Sequence, residues 1–95
     1  MNLDHLRYFE VLARLQHYGK AAEQLHVSQP SLNYAVSQME QELGVPLFEK
    51  AGRSVRLTRY GRQFLQTVQS SLDTLDAGVR SVQESGQGGG LVLLG

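Results

Sequence analysis

Leu3, Leu6, Phe9, Leu12, Ala13 and Leu15 recur at intervals of three or four residues, with Arg7, Glu10 and Arg14 on the other side. That period predicts an amphipathic helix over residues 3–16. The pattern breaks at Gln16-His17-Tyr18-Gly19 and resumes in Lys20-Ala21-Ala22-Glu23-Gln24-Leu25-His26, two turns of strong helix formers. Ala21 and Ala22 are small enough for another helix to pack closely, as a tight helix-turn-helix requires. Val27-Ser28-Gln29-Pro30-Ser31 reads as a turn into a third helix. There Ser28 can cap orphan N–H groups, and Pro30 costs nothing in the first turn, where its missing donor has no partner anyway. Apolar Leu32, Val36, Met39 and Leu43 then step by four, three and four, until Gly44 stops the helix and Pro46 keeps it from resuming.

Residues 46–58 change period. Val55 and Leu57 alternate with Ser54, Arg56 and Thr58, and Ala51-Gly52 sits where a tight turn is needed, so a small β-hairpin is predicted. Thr58 can cap a fourth helix running from Arg59 to about Glu84. Along it Leu65, Val68, Leu72, Leu75, Val79 and Val82 are spaced as a heptad seam. About 26 residues at 1.5 Å each make a rod of about 40 Å, too long for a 58-residue globule to cover. The seam therefore predicts pairing with a partner helix, against the plainer alternative of a helix face packed on its own domain. Ser85-Gly86-Gln87-Gly88-Gly89-Gly90 has the composition of a flexible linker, and Leu91-Val92-Leu93-Leu94 that of a β-strand without neighbours. The expected organisation is a domain at 1–58, a linker helix at 59–85, and a hinge with a stub of a further domain at 86–95.

Composition narrows the field. The 95 residues hold no cysteine, which excludes a disulfide framework, a thiolate zinc site and a cysteine nucleophile. The longest apolar run, Leu91–Leu94, is far short of the roughly 20 residues a membrane span requires. The first residues show no signal-peptide pattern, so a protein that is neither exported nor membrane-bound is expected. Catalytic machinery is not in view. His5, His17 and His26 lie 12 and 9 apart, without a His-x-x-x-His ligand pair, and read as surface or packing histidines rather than metal ligands. Gly88-Gly89-Gly90 follows a helix, the reverse of the order a phosphate-binding loop needs.

Nine basic side chains cancel nine acidic ones. The zero is an average over unlike zones: residues 50–62 carry Lys50, Arg53, Arg56, Arg59 and Arg62 with no acid, while acids outnumber bases on either side. Beside this cluster the third helix presents Gln29, Asn33, Tyr34, Ser37, Gln38 and Gln41, a face that is polar but almost uncharged. Solvated helix faces usually carry Lys and Glu. Amides, hydroxyls and a tyrosine suit the reading of hydrogen-bonding edges better than simple solubility.

Three ordered segments carry a family resemblance: Ala21-Ala22-x-x-Leu25-x-Val27-Ser28-Gln29-Pro30-Ser31-Leu32, Met39-Glu40-x-Glu42-Leu43-Gly44-Val45-Pro46-Leu47-Phe48, and Arg53-x-Val55-x-Leu57-Thr58-x-x-Gly61. Over residues 3–85 the chain resembles the N-terminal DNA-binding module of LysR-type bacterial transcriptional regulators. The resemblance implies a mainly α fold, a winged helix-turn-helix of three helices plus a β-hairpin wing, followed by a long dimerisation helix. The helix-turn-helix then spans about residues 18–37 and the wing 46–58. It also implies a cytoplasmic, nucleoid-associated regulator that is not an enzyme and binds an interrupted palindrome in double-stranded DNA as a homodimer. No cofactor is expected in this chain. A small-molecule effector belongs to a C-terminal domain of which only the first strand could be present, and tetramers belong to a full-length protein.

The expected docking puts helix 28–43 in the major groove and the wing cations on the backbone or in the minor groove. Gln29 and Asn33 can address adenine N6 and N7; Tyr34 offers a hydroxyl to phosphate and a ring to a thymine methyl, or packs against the first two helices. Ser28, Ser31 and Ser37 are expected on phosphate, with Ser28 equally explained as a cap and Pro30 as a structural residue. Lys50, Arg53 and Arg56 complete the DNA-binding set, Arg53 foremost, whereas Arg56, Arg59 and Arg62 can equally decorate solvated surface. The chain departs from the family in Asn33-Tyr34-Ala35, where Ser, Arg and Gln are common, in Gly19, a weaker cap than the usual Ser or Thr, and in Tyr60. The acids outside the wing are expected to weaken non-specific binding, so that neutralising Glu40 and Glu42 raises affinity for random DNA.

Overall fold

A computed structural model describes residues 1–94, with the side chains of residues 1–87. Its elements are α1 (Leu3–Leu15), α2 (Tyr18–Leu25), α3 (Gln29–Leu43), β1 (Phe48–Ala51), β2 (Ser54–Leu57) and α4 (Arg59–Leu94). This is the predicted winged helix-turn-helix with its long fourth helix. The first three helices close around Phe9, Leu12, Leu32, Val36, Met39 and Leu47, all essentially without solvent contact. Phe9 is the hub, its ring 5.4 Å from Phe48 in the wing and 5.5 Å from Phe64 on α4, tilted against both. One aromatic side chain thereby binds three parts of the sequence into one core.

Caps fix where each helix starts. The Asn2 side chain accepts from His5 N, and Ser28 Oγ accepts from Ser31 N at 3.2 Å. The α2 start differs from expectation. That helix begins at Tyr18, and its cap is His17, whose Nδ1 accepts from Lys20 N at 3.1 Å, with Gly19 inside the first turn. Imidazole can cap because an unprotonated ring nitrogen accepts as a hydroxyl oxygen does, a substitution that a search for Ser, Thr, Asp or Asn overlooks. Gly44 closes α3 at φ 74°, as its position predicts.

The wing is an antiparallel pair in the register Phe48↔Leu57, Glu49↔Arg56, Lys50↔Val55 and Ala51↔Ser54. Its turn is Gly52-Arg53 rather than Ala51-Gly52, with Gly52 at φ 65°. Two bonds close its base, from Thr58 N to Leu47 O (3.0 Å) and from Thr58 Oγ1 to Pro46 O (2.6 Å), and a third, from Val55 N to Gln16 O (3.1 Å), ties it to the end of α1. Thr58 is also the predicted cap of α4, accepting from Gly61 N at 3.1 Å. The residue that ends the wing thus begins the rod.

The heptad seam divides in two. Val68 and Leu72 are 1% and 2% exposed in the chain's own core, and Leu65 packs against it, so these three serve the alternative of a face packed on its own domain. Leu75, Val79 and Val82 lie beyond it, 39%, 46% and 72% exposed. An ion pair from Arg7 to Asp76 (3.4 Å) lies where α4 leaves α1. The helix does not dissolve after Glu84. Ser85, Gly86 and Gln87 continue it, because adding a residue to an established helix fixes little backbone and glycine costs only about 1 kcal/mol relative to alanine. Of the hinge and strand stub predicted for 86–95, residues 86–94 instead continue α4, so the strand predicted at Leu91–Leu94 is helical. Leu43 is a smaller correction, 38% exposed at the last turn of α3 rather than core.

Candidate nucleic-acid interface

Gln29, Asn33 and Ser37 are spaced by four and form one stripe along α3. All three are exposed, and they line an open cleft of about 740 Å³ together with Lys50 and Arg53 of the wing and His17, Tyr18 and Gly19 at the start of α2. The structure therefore brings five of the ten predicted DNA-binding residues into one concavity. Ser28, Pro30, Ser31 and Tyr34 are exposed outside it, Tyr34 at 64%, which disposes of the option that its ring packs on the first two helices. Ser28 Oγ is engaged as a cap and donates to Ser31 Oγ (2.8 Å). Ala35 is buried and has no access to a ligand.

The charges of the cleft are sorted by their partners. Arg56 lies outside the cleft and donates to Glu49 Oε1 at 2.9 Å, directly across the hairpin, so the two largely neutralise each other. Glu40 Oε2 accepts from Leu47 N (2.6 Å) and Phe48 N (3.3 Å) and thereby clamps the entry to the wing. Burial, and then the Glu40 carboxylate, push the Tyr18 phenol above its ordinary range, so it stays neutral beside that carboxylate. Arg59 lies over the Tyr60 ring and donates to its hydroxyl (2.7 Å), and Arg62 donates to Leu57 O (3.2 Å). Lys50 and Arg53 form no ion pair among the described residues. Of the five cations at 50–62, these two face the cleft without a compensating acid.

Sequence reasoning missed His17 and Tyr18 as lining residues and saw in Gly19 only a weak cap. The Gly19 signal masked the others, since glycine there reads as a break. No group of three or more His, Asp or Glu able to hold a metal ion occurs among the described residues, and no helix among them is long and apolar enough to cross a membrane.

The family profile described as “Bacterial regulatory helix-turn-helix protein, lysR family” matches residues 3–62. The chain belongs to the LysR family. Among curated LysR-type relatives, the uncharacterized HTH-type transcriptional regulator YybE of Bacillus subtilis (strain 168) is 42% identical over 83 residues, 87% of this chain and 28% of that protein. Two solved structures superpose closely. The complex of BenM_DBD with benA site 1 DNA has a TM-score of 0.83 at 36% identity, covering 88% of this chain and 98% of that one. The CbnR_DBD–DNA complex has a TM-score of 0.79 at 34% identity, covering 90% and 99%. The chain thus spans under a third of YybE but nearly the whole of two LysR-family DNA-binding domains, whose winged helix-turn-helix it shares.

Proposed function

We propose that this LysR-family domain binds double-stranded DNA sequence-specifically, as a homodimer on an interrupted palindrome, in the service of transcriptional regulation. The observation that carries this reading is the cleft. It sets an exposed, uncharged, hydrogen-bonding stripe on α3 beside two cations that lack acidic partners. A helix stripe of amides and hydroxyls can meet base edges in the major groove, while Lys50 and Arg53 meet the phosphates that flank it. Tyr34 stands one residue beyond the stripe, free to reach a thymine methyl or a phosphate. The likeness to two DNA complexes supports the same docking. The chain then acts without catalysis or cofactor in the bacterial cytoplasm, and a small-molecule effector and tetramer assembly belong to the remainder of a longer regulator.

Selection of bound sites from random duplex DNA should return an interrupted palindrome. On that site Gln29→Ala or Asn33→Ala should cost about 1–3 kcal/mol and relax preference at one base position. Arg53→Ala should weaken all sequences alike and reduce the salt dependence of binding. Equal, sequence-blind losses from all three variants would defeat the assignment of α3 as the reader, and absence of any duplex binding would defeat the function.

The homodimer is supported by Leu75, Val79 and Val82, an apolar stripe continuing past the end of the core. Val79→Asp should give monomers in sedimentation with the domain's circular dichroism intact. A dimer of unchanged affinity would place the interface elsewhere. Leu72→Asp is unsuited to the question, because it buries a charge in the domain's own core.

A further inference from the structure

We infer that His17 is a phosphate contact as well as the cap of α2. The inference rests on the DNA-binding reading above and adds a residue to it. The imidazole lines the α3–wing cleft that Lys50 and Arg53 also line. Its Nδ1 accepts the Lys20 backbone N–H, so in the neutral ring the proton sits on Nε2. Nε2 makes no hydrogen bond among the described residues and is not among their buried unpartnered atoms. The cap therefore fixes the tautomer and leaves one donor free on a residue that lines the cleft.

Gly19 sets the ring's place. A Cβ there would stand 3.1 Å from His17 Cε1 and 3.4 Å from Nδ1, tighter than ordinary contact, and 3.8 Å from Gln29 Oε1. The missing methyl leaves room for the imidazole between α2 and the first residue of α3. The surrounding groups favour an anion at that position. Lys50 and Arg53 line the cleft without an ion pair among the described residues, Glu49 is paired with Arg56, Tyr18 stays neutral, and Lys20 follows on the same helix. Glu40, which also lines the cleft, keeps its charge but turns Oε2 to the backbone N–H groups of Leu47 and Phe48. A duplex strand passing between α3 and the wing brings a phosphodiester past this donor, and a neutral N–H to an anionic oxygen is a charge-assisted bond.

The test exploits the two roles. His17→Ser keeps a side chain that caps helices at least as well as imidazole, but its hydroxyl ends well short of Nε2; His17→Asp caps and adds negative charge. Both should melt at or above the parent temperature. In gel shifts on the selected duplex and on mixed-sequence DNA, Ser should weaken binding about tenfold on every sequence, and Asp by more. A scan of single methylphosphonates along the selected duplex should then find one phosphate whose neutralisation weakens the parent protein but not His17→Ser. Parent-like binding by both variants, or equal loss at every methylphosphonate, overturns the contact while leaving DNA binding intact. A parent protein that binds no duplex overturns both.

Discussion

Gly61→Ala should lower the melting temperature of the domain by about 12 °C or more, the shift that about 3 kcal/mol produces in a chain of this size. Gly61 stands in the first turn of α4, where the rod meets the loop leading into the wing. A Cβ built there would lie 2.2 Å from the backbone oxygen of Leu47 and 2.8 Å from Leu57 Cδ2. The first is the decisive clash, because Leu47 O cannot move freely. It accepts from Thr58 N, and Leu47 N is held by Glu40. Overpacking of a mobile side chain costs about 1–3 kcal/mol; displacement of a backbone bonded on both sides belongs at or above the upper end of that range. Gly78→Ala is the control on the same helix. Nothing lies within 4 Å of its added Cβ, and replacing glycine in an exposed helix interior should stabilise by about 1 kcal/mol. Thermal melts of both variants at one protein concentration check the pair. Equal shifts would show that helix propensity, rather than contact with Leu47, governs Gly61.

The same contrast explains what was legible in the sequence. Period and punctuation locate the elements as far as the start of α4: the three- and four-residue spacing of Leu3 to Leu15, the stop at Gly44, and the alternation of Val55 and Leu57 all have direct structural counterparts, whereas glycine composition does not mark the end of α4. What escaped were roles decided by approach in three dimensions. His17 looked like a surface histidine because capping by imidazole has no strong sequence signature, yet it starts α2 and lines the cleft. The seam from Leu65 to Val82 has one period throughout, and no property of that period tells where the domain's own core ends; the core ends between Leu72 and Leu75. Counting locates the basic cluster, but partners determine its force. Arg56 is matched by Glu49, whereas Lys50 and Arg53, both in the expected DNA-binding set, line the cleft without an ion pair among the described residues.

Glu40 is where charge counting and geometry predict opposite signs. As one of the acids beside a basic cluster, it is expected on electrostatic grounds to repel DNA, so that neutralising it would raise affinity for random sequences. In the structure its Oε2 receives two backbone N–H groups, Leu47 and Phe48, at the only covalent path from α3 into the wing. A carboxylate accepting such donors is among the stronger hydrogen-bonding arrangements, and removing it leaves two partly buried donors unsatisfied. Glu40→Ala should therefore destabilise the domain by about 2–4 kcal/mol, and Glu40→Gln by less, since the amide oxygen can still accept. Both should weaken DNA binding rather than strengthen it, because the same loop fixes Lys50 and Arg53 relative to α3. Glu42 supplies the comparison. It is exposed, paired with the N-terminal amine of Met1, and receives no bond from the wing loop, so Glu42→Gln removes the same charge without touching the wing. Chemical denaturation together with binding to mixed-sequence duplex separates the two effects. A rise in random-DNA affinity confined to Glu42→Gln leaves the electrostatic role to Glu42 and the architectural one to Glu40. A rise of equal size in Glu40→Gln at unchanged stability would instead make the clamp dispensable.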